Sequence, residues 1–356
     1  PCSIEALSNR GKLNLSEGKF MNAERDLSLA ISLDSDCAVA RYNRGLLYLL
    51  IGRWGEGWDD FQSRWLLGGL GSSSYDHGLE VWPGPLTSKR NLLVWGEQGL
   101  GDQVLFSHCL TDLTAIENVV VIEIDPRLVS LFQRSFPDVS VVSYGGVPKN
   151  TIDTAEYHVP IGSLGSHLRR SVESYGIAKH YLKTDPILVE KLRKRYAHYA
   201  KGRRIVGLSW NSINPDFGRA KSLSLEKWSP ILGNIECMFI SVQYGNVKDE
   251  VYDVAQNLGI DIIVDEDIDY SGDLDEVAAQ IQALDLLICT SGTAAHIGGA
   301  IGQSVWVMVP KVPEWRWGAE ADTVAWYPNI KIFRQTEDGD WSQPIHTVSQ
   351  ALRKLK

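Results

Sequence analysis

Residues 285–309 contain two short apolar runs, at 286–289 and 305–309, separated by a Thr-Ser-Gly-Thr turn and a run of small residues. This order predicts a buried strand, a turn, a helix and a second buried strand, which together form a parallel β-α-β unit. A helix that starts directly after such a turn presents free backbone N–H groups and the positive end of its dipole, and both favour a phosphate. From residues 285–309 alone, an anion-binding site cannot be distinguished from an ordinary strand–helix crossover that binds nothing.

The same alternation of buried strands and helices fills the chain from residue 91 onward. In the first half we predict strands at 92–95, 119–124, 139–142 and 156–159. In the second half we predict strands at 205–210, 238–243, 262–264, 286–289 and 305–309, and helices at 186–200, 224–233, 247–258, 273–284, 293–301 and 345–355. Two such halves predict an α/β protein with two Rossmann-like domains and a cleft at the carboxyl ends of their sheets.

The first 67 residues repeat themselves with a period of 34 residues. The matched pairs are Gly11 and Gly45, Gly18 and Gly52, Phe20 and Trp54, and Leu27 and Phe61. Small residues where paired helices cross, with aromatic residues between them, resemble the tetratricopeptide repeat, although Ser35 stands where that repeat usually has proline. About two units are present, fewer than a stable solenoid needs, so we expect further repeats upstream or packing against the next domain.

The composition narrows the class of protein. The chain has 356 residues and a net charge of −9, which argues against a nucleic-acid-binding protein but leaves room for a local basic pocket. Five cysteines without any Cys-x-x-Cys pair indicate reduced thiols and a cytoplasmic protein. No apolar run has the length of a membrane-spanning helix, so we expect no membrane span.

Three motifs carry a resemblance to a known family. They are Trp-Gly-Glu-Gln-Gly-Leu-Gly-Asp at 95–102, Ala-His-Ile-Gly-Gly-Ala-Ile-Gly at 295–302 and Trp-Tyr-Pro at 326–328. With these motifs in this order, the chain resembles the GT-B glycosyltransferases. Within that fold it resembles the heptosyltransferase-like group (glycosyltransferase family 9), including relatives that carry tetratricopeptide repeats. The resemblance implies a GT-B fold and metal-independent transfer from a nucleotide sugar, with no further cofactor.

With this resemblance the chain divides into four predicted stretches. They are repeats at 1–67, a Gly-, Ser- and Pro-rich linker at 68–90, an acceptor-side Rossmann-like domain at 91–185, and a nucleotide-sugar-binding Rossmann-like domain at 186–356 that ends in a closing helix.

The loop after the first strand holds the predicted catalytic groups. Sugar transfer needs a base for the acceptor hydroxyl, and the resemblance assigns that role to Asp102. Its position also fits a plain helix cap, and Glu97 on the same loop is the second candidate. We place four neighbours on the acceptor side: Gln98, Gly99, Gly101 and Gln103.

The donor-binding residues are predicted to follow the strands of the second half. They are Trp210, Asn211, Arg219, Lys221, Gln243, Tyr244, Ser291, Gly292, Thr293 and His296. Lys221 or Arg219 would supply a positive charge to the donor phosphates, and the Ser-Gly-Thr turn would donate hydrogen bonds from its hydroxyl and N–H groups. His296 is better explained as a buried structural residue than as a catalytic base. The heptosyltransferase pattern has an aspartate at the position of Ser291, which puts a heptose donor in doubt.

We therefore expect a glycosyltransferase whose repeats recruit a protein acceptor, modified on Ser or Thr, such as a bacterial flagellar or surface protein. Arg169 and Arg170 favour an alternative acceptor, an anionic lipopolysaccharide or lipid-linked glycan. A non-catalytic GT-B scaffold is a further alternative, and a sugar epimerase would need a set of acids and a histidine that the sequence does not identify. The aromatic residues at 315–327 fit a packing cluster better than a sugar-stacking surface.

Overall fold

The computed structural model describes residues 3–68, 77–176, 180–212, 218–320, 322 and 324–355, without the side chain of Arg219. The chain forms two compact units, each assembled from separate stretches. The first unit comprises Pro1–Ile124, Val142–Ala178 and Val312–Ala325, and the second comprises Asp125–Val141, Lys179–Lys311 and Trp326–Lys356. The four continuous domain boundaries stay predictions.

The first unit begins with two helical hairpins. Their helices are α1 (Ile4–Ser16), α2 (Phe20–Leu33), α3 (Ala38–Leu50) and α4 (Trp54–Phe61), and a 3-10 turn at Gln62–Leu66 follows. The connections between paired helices, at Gly18 and Gly52, adopt positive φ angles of 73° and 83°, which glycine accepts without strain.

The 34-residue period of the sequence recurs in the contacts. A Cβ atom on Gly11 would lie 2.6 Å from the Leu27 side chain, and one on Gly45 would lie 2.8 Å from the Phe61 backbone, so each glycine marks the close crossing of a helix pair. The ion pair between Arg10 and Asp26, 2.6 Å, recurs 34 residues later between Arg44 and Asp60, also 2.6 Å. The helical segment thus contains two hairpins with matching contacts, and its assignment as tetratricopeptide repeats stays a prediction.

A five-stranded sheet follows, in the order β1-β5-β2-β3-β4. Its strands are β1 (Glu80–Val81), β2 (Asn91–Trp95), β3 (Asn118–Ile124), β4 (Ser140–Ser143) and β5 (Tyr157–Pro160). The helices of the first unit in this part of the chain are α5 (Leu100–Phe106), α6 (Leu110–Ile116), α8 (Lys149–Thr154) and α9 (Leu164–Leu168). The helix α7 (Val129–Ser135), which lies between β3 and β4 in sequence, belongs to the second unit. β2 pairs in parallel with both β3 and β5, and its four apolar residues are buried because helices cover parallel sheets on both faces.

The second unit is organised around a six-stranded sheet, in the order β11-β10-β9-β6-β7-β8, with every pair parallel. Its strands are β6 (Arg204–Ser209), β7 (Cys237–Ser241), β8 (Ile262–Val264), β9 (Leu286–Thr290), β10 (Val305–Val309) and β11 (Ile330–Arg334). Its helices are α10 (Pro186–Ala200), α11 (Gly218–Lys221), α12 (Ser229–Leu232), α13 (Lys248–Leu258), α14 (Leu274–Gln282), α15 (Thr293–Ile301) and α16 (Ser342–Lys354).

All nine predicted strands are present in the two sheets, which confirms the predicted α/β class. Two strands were missed. β11 follows Trp-Tyr-Pro closely, and its short apolar run, interrupted by Lys331, gave no clear strand signal. β1 lies inside the predicted linker, where only two residues pair with β5 and the Trp82 side chain next to them is buried.

Among the helices of the described stretches, none is both long enough and apolar enough to cross a membrane.

Candidate functional site

The glycine loop, residues 96–102, joins β2 to α5 in the first unit. Asp102 occupies the third position of α5, where one carboxylate oxygen accepts a hydrogen bond from the Gly99 N–H at 3.3 Å. The other oxygen is paired with the guanidinium of Arg316, from a 3-10 turn at Trp315–Trp317. The Asp102 side chain stays 18% exposed, so a carboxylate predicted as the base is both fixed in place and open to solvent.

Glu97, the second predicted catalytic residue, has a different environment. It is fully buried, and both of its oxygens accept hydrogen bonds from Arg64, at 2.6 and 3.1 Å. The Gly162 N–H donates to it as well, at 3.1 Å. With every oxygen occupied and no solvent access, Glu97 is placed to anchor the loop rather than to accept a proton from a substrate.

The remaining residues of the glycine loop fix the conformation of its backbone, which includes an unusual φ angle. Gln98 has a φ angle of 60°, in the left-handed region that non-glycine residues rarely adopt. Gln103 is buried, and its amide N–H groups donate to the Tyr144 hydroxyl at 2.9 Å and to the Gln98 carbonyl at 3.4 Å. Gly99 caps α5 and Gly101 lies in its first turn. The structure therefore gives these residues a role in shaping the loop, and their predicted acceptor-side role stays a prediction.

Arg316 is the group that the sequence analysis missed. Burial acts to lower the pKa of Arg316, and the carboxylates of Asp102 and Glu314 outweigh it, so the pKa lies above the usual value. Tyr42, on α3, belongs to the same group of charges. Burial is the main cause that raises the pKa of Tyr42, with opposing effects from Arg316 and Asp102. Arg316 is therefore a permanent cation beside the candidate base.

The predicted donor residues of the second unit fall into two groups, and the first group shapes the strand ends. The Gln243 side-chain oxygen accepts from the N–H groups of Trp210 and Asn211, both at 2.8 Å, and its nitrogen donates to the carbonyls of Asn211 and Tyr244. Trp210 is buried, and its indole N–H donates to Glu250 at 3.0 Å. These contacts tie the ends of β6 and β7 together.

Lys221 ends the short helix α11 and is buried despite its charge. The loop that carries it is closed by Ser222, whose hydroxyl accepts from the Ser212 N–H at 2.9 Å and donates to the Gly218 carbonyl at 2.7 Å. The prediction for Arg219 concerns a side chain outside the described part of the chain. The predicted role of Lys221 as a countercharge for the donor phosphates stays a prediction.

The second group surrounds the N-terminus of α15, where Gly292 is the cap and Thr293 the first helical residue. The Ser291 side chain is 2% exposed, and its hydroxyl has no hydrogen-bond partner among the described residues. His296 is buried and shares a 3.1 Å hydrogen bond with the Tyr327 hydroxyl, and its predicted donor-binding role stays a prediction. At the helix start, the Gly292 N–H donates to the Thr290 carbonyl at 2.7 Å and the Ala295 N–H to the Gly292 carbonyl at 3.1 Å. The buried Ser291 hydroxyl lies beside the positive end of the helix dipole.

The C-terminal aromatic residues are buried, as expected for a packing cluster, but they divide between the units. Trp315 and Trp317 belong to the first unit, and Trp326 and Tyr327 belong to the second. Within the described residues, no group of three or more His, Cys, Asp or Glu side chains is arranged to hold a metal ion.

Comparison with known proteins supplies one sequence relative and several related structures. No family model matches the chain. The protein FlbA of Caulobacter vibrioides is 28% identical over 371 aligned positions, which cover 99% of this chain and 62% of FlbA. The chain thus spans about three fifths of the length of that curated relative.

Two solved structures share the fold. A family 9 glycosyl transferase from Veillonella parvula matches with a TM-score of 0.50 and 11% identity, over 75% of this chain and 96% of that one. The ADP-heptose lps heptosyltransferase II of E. coli matches with a TM-score of 0.53 and 10% identity, over 74% of this chain and 98% of that one. At such identities the similarity shows the fold, and the predicted GT-B fold class is confirmed.

Proposed function

We propose that this protein is a glycosyltransferase, which moves a sugar from a nucleotide-sugar donor to an acceptor hydroxyl. The observation that carries the proposal is the Ser291 hydroxyl at the N-terminus of α15, which is buried without a hydrogen-bond partner among the described residues. A buried hydroxyl without a partner costs free energy, and an arriving phosphate oxygen would remove that cost. The GT-B fold shared with two transferase structures supports the same conclusion.

The donor phosphates would bind at the turn formed by Ser291, Gly292 and Thr293. Here the backbone N–H groups and the helix dipole attract negative charge, and Lys221 supplies a cation that the leaving nucleotide needs. The nucleotide sugar is a co-substrate in this scheme, which uses no additional cofactor and no metal ion.

Asp102 would act as the base. In the reaction the acceptor oxygen forms a bond to the anomeric carbon, while the bond from that carbon to the phosphate oxygen breaks and its electron pair leaves with the nucleotide. The acceptor proton passes to the Asp102 carboxylate. Attack from the side opposite to the leaving group inverts the anomeric configuration. Partial exposure of Asp102 supports this role, because a substrate can reach it.

We propose a protein acceptor, modified on Ser or Thr, which the two helical hairpins recruit in the cytoplasm. Stacked helical hairpins offer an extended surface for peptides, and this chain contains two equivalent hairpins. A flagellar or surface protein is the acceptor class that we favour.

The second candidate acceptor is a lipopolysaccharide or lipid-linked glycan. The fold shared with an lps heptosyltransferase favours it. Arg170 lies on the first unit with its side chain 48% exposed and paired with Asp59 at 2.7 Å, so an anionic glycan would compete with that carboxylate for it.

Thermal unfolding with a panel of nucleotides tests the donor site. We expect ADP, UDP, GDP or a corresponding nucleotide sugar to raise the melting temperature, since a ligand that binds only the folded state stabilises it. The Lys221→Ala variant should lose most of that shift, and the control Lys227→Ala, an exposed lysine of the same unit, should keep it. If no nucleotide changes the melting temperature, the transferase proposal fails.

A further inference from the structure

The glycine loop is fastened at both ends by arginines from outside the sheet that carries it. Arg64 lies in the 3-10 turn after α4, and it holds Glu97 near the start of the loop. Arg316 lies in the turn at Trp315–Trp317, and it holds Asp102 at the end of the loop. Between the two ion pairs, Gln98 adopts a left-handed backbone conformation that a non-glycine residue does not choose freely.

The ion pair between Arg64 and Glu97 is buried and bidentate. Arg64 donates to both oxygens of Glu97, and one of its terminal nitrogens also donates to the Ser163 hydroxyl at 2.8 Å. Both side chains are at most 1% exposed. Planar, bidentate contacts of this kind fix orientation as well as distance, so the start of the loop has a single position.

The second ion pair is more accessible. The Arg316 side chain is 12% exposed and the Asp102 side chain 18%. Arg316 also approaches Glu314 at 3.5 Å, and its Nε atom has no hydrogen-bond partner among the described residues. Arg316 therefore directs one end of its guanidinium at Asp102 and is not saturated by other groups.

The segment that carries Arg316 is anchored on the helical hairpins. Its neighbour Trp315 packs edge-on against Trp58 of α4, with ring centres 5.5 Å apart, and stacks on Phe106 of α5 at 6.2 Å. Further along, the Ala319 N–H donates to the Leu50 carbonyl of α3 at 2.9 Å. The position of Arg316 is thus set by α3, α4 and α5 together.

We propose that Arg316 is a positioning residue, which fixes the Asp102 carboxylate and the glycine loop from a segment anchored on the helical hairpins. As a statement about transfer, the inference rests on the proposed function, in which Asp102 is the base. Arg316 has no part in proton transfer itself. It holds one carboxylate oxygen while the Gly99 N–H holds the other, and this fixes the direction in which Asp102 meets an acceptor.

The first test needs no substrate. Hydrogen exchange of the backbone amides at 98–103 is compared between the full wild-type chain and Arg316→Gln. We expect these amides to exchange about 10-fold faster in the variant, since the loop loses the ion pair between Arg316 and Asp102. Arg316→Lys keeps the charge and should recover part of the protection. Arg90→Gln removes an exposed ion pair of the same unit, with Glu156, and should leave these amides unchanged. Equal exchange in wild type and Arg316→Gln would overturn the inference.

The second test measures turnover with whichever nucleotide sugar raises the melting temperature of the wild type. Arg316→Gln should lower kcat about 10- to 100-fold with little change in the donor KM, because misplacing a base costs rate rather than donor binding. In the Asp102→Asn background, Arg316→Gln should cost no further activity. An undiminished kcat, or a further full loss in that background, would contradict a positioning role. If no nucleotide sugar binds, the proposed function fails, and hydrogen exchange still decides whether Arg316 holds the loop.

Discussion

The glycine loop of the first unit and the Ser-Gly-Thr turn of the second unit have the same local plan, yet their polar groups are satisfied differently. In both, a buried strand ends in a glycine-containing turn that leads into a helix. In the glycine loop, Glu97 and Asp102 each have an arginine partner. In the other turn, the Ser291 hydroxyl is buried without a partner among the described residues. The paired carboxylates of the glycine loop suit side chains that must keep one position. The unpaired hydroxyl of the Ser-Gly-Thr turn suits a side chain that forms its hydrogen bond with a bound ligand.

The largest expected effect comes from breaking the buried ion pair between Arg64 and Glu97, which anchors the glycine loop. Arg64→Ala leaves Glu97 buried without a countercharge, so we expect the free energy of unfolding to fall by about 3–5 kcal/mol. Urea denaturation followed by tryptophan fluorescence measures the loss. The control Arg90→Ala breaks an exposed ion pair, which is worth about 0–1 kcal/mol. Losses of equal size in the two variants would contradict the anchoring role of Glu97.

The first unit should also lose stability in acid through His108. Burial, with the positive charge of Arg169 as the second cause, lowers the pKa of His108 to about 4, whereas in the unfolded chain it lies near 6.5. The folded state therefore binds fewer protons, so the contribution is complete above pH 6.5 and declines as the pH falls towards 4. The full decline corresponds to about 3 kcal/mol.

Denaturation at pH 7.5, 5.5 and 4.5 checks this prediction. His108→Gln should lose less stability than wild type over this range, because the variant has no imidazole to protonate. Parallel losses in the two proteins would show that His108 does not set the acid sensitivity.

In the second unit, the glycines of α15 allow close packing. A Cβ atom on Gly299 would lie 2.6 Å from the Tyr327 ring, so Gly299→Ala should cost about 1–3 kcal/mol in the free energy of unfolding. Gly233→Ala is the matched control, since its Cβ would meet no atom closer than 3.4 Å. If the two variants are equally stable, α15 does not depend on its contact with Tyr327.

The smallest expected effect concerns Ser291. Because its hydroxyl has no hydrogen-bond partner within the part of the chain that the structure describes, Ser291→Ala should leave the free energy of unfolding unchanged or raise it by up to about 1 kcal/mol. The same change should weaken nucleotide binding by about 1 kcal/mol, roughly a 5-fold rise in Kd. Calorimetric titration measures the affinity, and Ser271→Ala, an exposed serine of the same unit, is the control. Weaker folding with unchanged binding would reverse our interpretation of the turn.

Sequence patterns sufficed for all strands except β11 and the short β1, and for the position of both turns. Buried strands of a parallel sheet are short, continuous apolar runs, and residues directly after them lie at the edge where ligands bind. Asp102 and Ser291 were therefore named from the sequence.

Their surroundings were not predictable in the same way. Arg64 is 33 residues from Glu97, and Arg316 is 214 residues from Asp102, so no local spacing links either pair. Glu97 looked like a second acid, and only the fold shows that Arg64 and Gly162 occupy its oxygens. Whether a serine hydroxyl finds a partner also depends on the packed structure, which explains why the special feature of Ser291 was missed.

The most direct measurement compares nucleotide binding and sugar transfer in Asp102→Asn, by calorimetric titration and by release of the nucleotide from its sugar. The account predicts that the variant binds the nucleotide with wild-type affinity, since Asp102 is not among the residues proposed to bind the donor, while turnover falls about 10²- to 10⁴-fold. Turnover within a few-fold of wild type would show that Asp102 is a helix cap rather than the base, and the division of roles between the two turns would be wrong.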